Sequence, residues 1–162
     1  MRALQLLALV LFSTSLVSAA TVTVRSGNGS AGGTDHAITF LAGPATSDFP
    51  RVLSSVDFSN AQIGPSASIL SGLGVIWLAS LSEDPSARWI GTNPNAHSVS
   101  GNGATALYAA SFAIRQAFSS ATLTIHYAVD DNLGGINAGG SNAGVYMNGV
   151  AVCPSAVPVG TF

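Results

Sequence analysis

The sequence holds a single cysteine, Cys153, in 162 residues. No disulfide can form within the chain, and any bridge would have to join two chains. Charge is almost as scarce. Charged residues make up 7%, the formal net charge is −2, and all five Lys/Arg positions are arginine. Without a basic patch, nucleic acid and anionic membrane are poor partners. Histidine is limited to His36, His97 and His126. None stands in His-x-His or His-Glu-x-x-His spacing, so a catalytic zinc site is not signalled. No Gly-x-Ser-x-Gly occurs, and with it the usual setting of a serine nucleophile is missing. No segment sustains a 3.6-residue period and no internal repeat is visible, so helix should be a minor component.

What remains is apolar and small. Mean hydropathy is +0.46, and the polar surface must come from Ser, Thr, Asn and Gly. The N-terminus carries one clear signal. Met1-Arg2 starts positive, residues 3–16 are mostly apolar, and Ser18-Ala19-Ala20 supplies small residues for cleavage. Residues 1–20 are expected to be a secretory signal peptide, too short to span a membrane as a mature helix. Residues 21–162 are then read as one secreted domain, large enough to bury a core without disulfide staples. In that setting Cys153, in the apolar run Ala151-Val152-Cys153, is expected as a buried thiol.

Strand signals are short and frequent. Residues 21–25, TVTVR, alternate and are β-branched. HAITFL (36–41) is a second strand, closed by Gly43-Pro44. Residues 52–58 fit either a strand or a helical turn, and Gly64-Pro65 ends them. Gly72 and Gly74 argue against a helix in the apolar run 68–81, so a strand carrying Trp77 is expected at 75–80. ARWI (87–90) and LYAASFAI (107–114) follow. The central stretch is 121–149, ATLTIHYAVDDNLGGINAGGSNAGVYMNG. Leu123, Ile125, Tyr127 and Val129 alternate with polar or small residues, the period of a strand with one core face. Asp130, Asp131 and Asn132 break it. A strand at 145–147 then runs into Asn148-Gly149, a strong hairpin signal. About nine short strands between turn residues point to an all-β antiparallel sandwich.

Four of these motifs, in this order and spacing, carry a resemblance. They are ARWI, LYAASFAI, ATLTIHYAVDD and VYMNG, together covering about residues 75–152. The chain resembles the galactose-binding-like jelly-roll domain of secreted bacterial proteins, of the kind found in PEP-CTERM-type exported proteins. The resemblance implies a jelly-roll sandwich in an extracellular or cell-surface protein. It also implies further strands after the Asn-Gly turn. The expectation is a C-terminally truncated sandwich, or one that closes with fewer strands. A terminal apolar helix followed by basic residues, the sorting tail of such proteins, is not seen.

Functional candidates follow from chemistry. Asn-rich loops suit hydroxyl-rich ligands, and rings stack on sugar faces. Trp77, Asn93, Asn95, His126, Asn137 and Asn142 are therefore the candidate ligand-binding residues. Each has a plainer alternative: aromatics dominate sandwich cores, and His126 suits a merely half-buried position. Asp130, Asp131 and Asn132 offer hard oxygen donors that calcium accepts, while the alternative is a turn whose side chains bond backbone amides. No other cofactor is expected. The acids Asp35, Asp48, Asp57, Glu83, Asp84, Asp130 and Asp131 include two adjacent pairs, but neighbours in turns rarely face each other across a cleft. The expected function is non-catalytic binding of extracellular polysaccharide. The alternative is a structural surface, matrix or appendage subunit that assembles through strand edges. The expected partners are accordingly a glycan or other subunits, with no nucleic acid and no membrane insertion after signal cleavage.

Overall fold

A computed structural model describes residues 21–44, 49–71, 81, 83–94, 105–115, 117–118, 120–129, 133–137 and 140–152. The regular structure of the described chain is mostly strand, arranged antiparallel, with one short helix. That bears out the all-β expectation in its coarse form.

The largest sheet has four strands. β1 (Thr34–Ala42), β2 (Ser66–Ile69), β3 (Ile90–Gly91) and β4 (Ala106–Ala110) lie in the order β3-β2-β1-β4. β1 and β4 pair in unbroken register from Ile38↔Ala110 to Ala42↔Ala106. Alternation along β1 sends Ile38 and Phe40 inward, where they meet Ala67 of β2. Ala37, Ile90 and Ala106 pack against this cluster. The Phe40 and Tyr108 rings tilt together with centroids 6.1 Å apart. Burial pushes the Tyr108 hydroxyl up to about 12.

Asp35 breaks the alternation. It is fully buried although it starts a strand. Register between β1 and β2 shifts from Thr34↔Ser68 to Thr39↔Ser66, which leaves extra β1 residues unpaired. The Asp35 carboxylate satisfies them. Its Oδ1 accepts from Ala37 N–H at 2.8 Å and Ile38 N–H at 3.2 Å, and its Oδ2 accepts from Gly27 N–H at 2.6 Å. One side chain thus substitutes for a missing ladder rung and pins the preceding loop. That loop also bonds Arg88 through Ser26, at both Oγ and C=O.

The one helix among the described residues, α1 (Ser55–Ile63), resolves the open reading of residues 52–58. Ser54 precedes it, and Asp57 three residues later bonds back to the Ser54 N–H at 2.7 Å. Gly64-Pro65 ends it, the residue before proline being held extended. A side chain at Gly64 would collide with the Phe40 carbonyl, so glycine lets the helix end sit on β1. α1 contacts β1 and β4, buries Asp57 and Ala61, and leaves Val56 and Ile63 in solvent.

Two hairpins complete the described strands. β5 (Gly135–Asn137) pairs with β6 (Gly140–Asn142), and β7 (Tyr146–Met147) with β8 (Val150–Ala151). Asn148 and Gly149 have φ of 51° and 79°, the turn conformation expected of Asn-Gly in a tight hairpin.

Several strand expectations are corrected. Residues 21–25 form no strand and are exposed. ARWI contributes only its last residue to β3, and LYAASFAI pairs only as far as Ala110. The expected central strand at 121–129 is in no sheet among the described residues. Strand pattern is necessary for pairing but does not supply a partner, and no described strand lies against this one. The expected strand at 75–80 and Cys153 fall outside the described residues.

Candidate functional site

The ligand-binding candidates do not converge. Trp77 and Asn95 lie outside the described residues, as do Asp130, Asp131 and Asn132. Asn93 is half-buried just past β3, and His126 is exposed in the unpaired stretch. Asn137 and Asn142 share the β5–β6 hairpin but sit opposite other residues, Gly140 and Gly135.

Asn142 has a different job from the one its loop position suggests. It is 5% exposed. Its Oδ1 accepts from Leu53 N–H at 2.8 Å, and its Nδ2 donates to the Arg51 carbonyl at 3.0 Å. A buried amide that bonds distant backbone at both ends is held by the fold, so Asn142 is a structural tie between the hairpin and the entry to α1.

The neighbouring polar groups are committed in the same way. Arg51 grips Asp57 with two nitrogens, and the Ser54 hydroxyl donates to the same carboxylate at 2.7 Å. Hydrogen bonding from Arg51 is the main force holding the Asp57 carboxyl well below the usual carboxylate range, opposed in part by burial. The Phe58 and Tyr146 rings stack aslant at 4.8 Å, and the Tyr146 hydroxyl accepts from Ala143 N–H at 2.8 Å. Elsewhere, Arg25 pairs with Asp84 at 2.6 Å and lowers its pKa by that hydrogen bond. Among the described residues, the carboxylates of Asp35, Asp57 and Asp84 each face a backbone amide or an arginine. No cluster of three or more His, Cys, Asp or Glu able to hold a metal occurs among the described residues. No described helix is long and apolar enough to cross a membrane.

The unusual surface is apolar. Phe112, Ile114, Phe118, Leu123, Ile125 and Tyr127 are each 40–57% exposed, all within residues 112–127. Scattered exposed apolar residues are ordinary, but a run of six in one unpaired stretch is not. Their polar alternates Thr122, Thr124 and His126 are exposed as well, so both faces of the stretch meet solvent. It follows β4 directly. β4 ends the four-stranded sheet and pairs with a described strand, β1, on one side only. A strand edge that no described strand covers and a strand-like segment outside every described sheet therefore lie within one short piece of chain. Periodicity pointed to the segment, but it does not say whether a strand finds its partner within the chain.

Comparison with family models, with curated proteins and with solved structures finds no match to this chain.

Proposed function

We propose that this chain is a secreted, non-catalytic structural module that assembles with other subunits through strand edges. One observation carries the reading. Residues 112–127 expose a run of alternating large apolar side chains beside a sheet edge that no described strand covers. Edges of this kind recruit strands from other chains unless they are blocked by charge or proline. Arg115 is the one charged residue of the run, and no proline stands in it. On this reading the four-stranded sheet and the hairpins are parts of a jelly-roll sandwich that a partner's strand completes. Light scattering across a hundredfold range of protein concentration tests it. Mass should rise above that of one chain as concentration rises, and a constant single-chain mass over the whole range would refute assembly.

Binding of extracellular polysaccharide is the second reading. It is favoured by the half-buried Trp89 and Asn93 flanking β3, in a surface with few charges. A glycan array probed with the purified protein tests it, and retention of a glycan by an Asn93→Ala, Trp89→Ala double variant would count against this site.

A further inference from the structure

We infer that Arg115 is a cleavage site for an arginine-directed endoprotease, one whose specificity pocket ends in a carboxylate. The inference goes beyond the assembly reading and does not depend on it.

The chain offers its own comparison. It has no lysine, and its arginines among the described residues are Arg25, Arg51, Arg88 and Arg115. All four are exposed, so exposure alone does not separate them.

Their bonds do. A protease of this class needs a guanidinium that can enter its pocket and a carbonyl, on the same residue, that can enter its oxyanion hole. Arg25 donates to Asp84 at 2.6 Å. Arg51 donates from two nitrogens to Asp57, and its carbonyl accepts from Asn142 Nδ2 at 3.0 Å. The Arg88 guanidinium donates to the Gly29 carbonyl at 3.4 Å, and the Arg88 carbonyl accepts from Ser26 Oγ at 2.7 Å. Arg115 makes no hydrogen bond or ion pair among the described residues, through either side chain or backbone. No acid stands between Asp84 and Asp130 in the sequence to compete with a protease carboxylate for it.

The backbone before Arg115 is equally uncommitted. β4 ends at Ala110, and residues 111–115 are exposed and in no sheet among the described residues. Extended peptides are recognised through main-chain hydrogen bonds and alternate side chains. A segment held in a sheet or helix must open before it can be bound this way, and its cleavage then follows the population of the open form. Residues 111–115 need no such opening. Phe112 and Ile114, 44% and 41% exposed, are also within reach of the pockets beside the one that takes arginine.

The reaction is hydrolysis. Water adds at the Arg115 carbonyl carbon, the C–N bond to the next residue breaks, and the products are a carboxylate on Arg115 and a protonated amine on the following piece. Arg25 is the nearest rival, since residues 21–25 also lie outside any strand. Its side chain is held by Asp84, and the residue after it, Ser26, is tied to Arg88.

Trypsin is the probe. The purified chain is digested at a low enzyme ratio and at the lowest concentration of the light-scattering series, so that assembly does not shield the site, and intact masses are followed over time. The expected first event is a single cut after Arg115. Arg115→Gln changes an exposed residue with no described partner to lose, and should leave the unfolding midpoint unchanged while lengthening the lifetime of the intact chain several-fold. A first cut after Arg25, Arg51 or Arg88, or an Arg115→Gln chain digested as fast as the parent, would overturn the inference and leave the assembly reading standing.

Discussion

Arg51 and Asp57 meet at two points, Nη1 to Oδ2 at 2.5 Å and Nη2 to Oδ1 at 2.6 Å. The pair is lopsided. The Asp57 side chain is 5% exposed and that of Arg51 58%. The carboxylate therefore pays the desolvation, and it recovers it from four donors at the start of α1: two nitrogens of Arg51, the Ser54 N–H and the Ser54 hydroxyl. The consequence is a helix terminus whose geometry depends on one ionised group.

Replacing that group should weaken the fold measurably. Asp57→Ala removes the bond to the helix cap, worth about 1 kcal/mol, and a pair whose arginine is well solvated, worth at most about 1 kcal/mol. The expected loss is about 1–2 kcal/mol in urea denaturation. A loss below ~0.5 kcal/mol would show that the cap is not formed in solution.

The same carboxylate sets a pH dependence. Its pKa is lowered in the folded chain relative to the ordinary 3.8, chiefly by the Arg51 hydrogen bond. A lowered folded-state pKa means the stabilisation is fully present above the unfolded value and is lost as pH falls toward the folded one. Stability should therefore hold level down to about pH 5 and then decline below about pH 4. Asp57→Asn should flatten that decline. Identical pH profiles for the two proteins would remove Asp57 from the account.

How far the sequence led is clearest from single residues. Asn148-Gly149 was legible because a turn with two positive φ angles is a local matter, decided by two side chains. The start of α1 was also written locally, in Ser54-x-x-Asp57, although the apolar pattern around it gave no helical period. Asp35 was not legible. Its burial depends on a register shift between β1 and β2, and no local pattern announces which acid will fill a bulge. Asn142 misled for the same reason. An asparagine in a Gly-rich loop reads as exposed until a distant segment, residues 51–53, folds beside it. Residues 121–129 show the converse, a local strand pattern with no described neighbour to pair with.

Asn142 should then be a stability residue and not a binding residue. Asn142→Leu keeps the size but leaves the Leu53 N–H and the Arg51 carbonyl without their partner. An unsatisfied buried group costs about 1–3 kcal/mol, so a loss of roughly 2–4 kcal/mol is expected, read as a drop in the midpoint of thermal unfolding. His126→Ala, at an exposed position, should stay within about 0.5 kcal/mol of the parent. Equal behaviour of the two variants would contradict the placement of Asn142.

Asp35 supports a sharper expectation. Its carboxylate serves three backbone N–H groups, and it is 0% exposed. Asp35→Ala strands all three donors in a site closed to water. At about 1 kcal/mol or more for each, the loss should reach 3 kcal/mol or more. Asp35→Asn keeps one oxygen acceptor and should fall between the two. Amide hydrogen exchange would locate the effect. Protection should vanish first at Gly27, Ala37 and Ile38, and unchanged protection there would show that the bulge is held by something else.

The apolar run offers a test that separates solubility from folding. Ile125 is 42% exposed in the unpaired stretch, and Ile63 is 83% exposed on α1. Lysine at either position is accommodated by the isolated chain, because both side chains already reach solvent. Each variant should unfold within about 0.5 kcal/mol of the parent when measured at high dilution. Their effects on association should differ. Ile125→Lys places a charge in the middle of the segment, where a paired strand would have to desolvate it, and should shift the mass measured by light scattering to that of one chain. Ile63→Lys lies on the other element and should leave the mass unchanged. If both variants dissociate the protein equally, association is general apolar stickiness, and the strand edge has no special part in it.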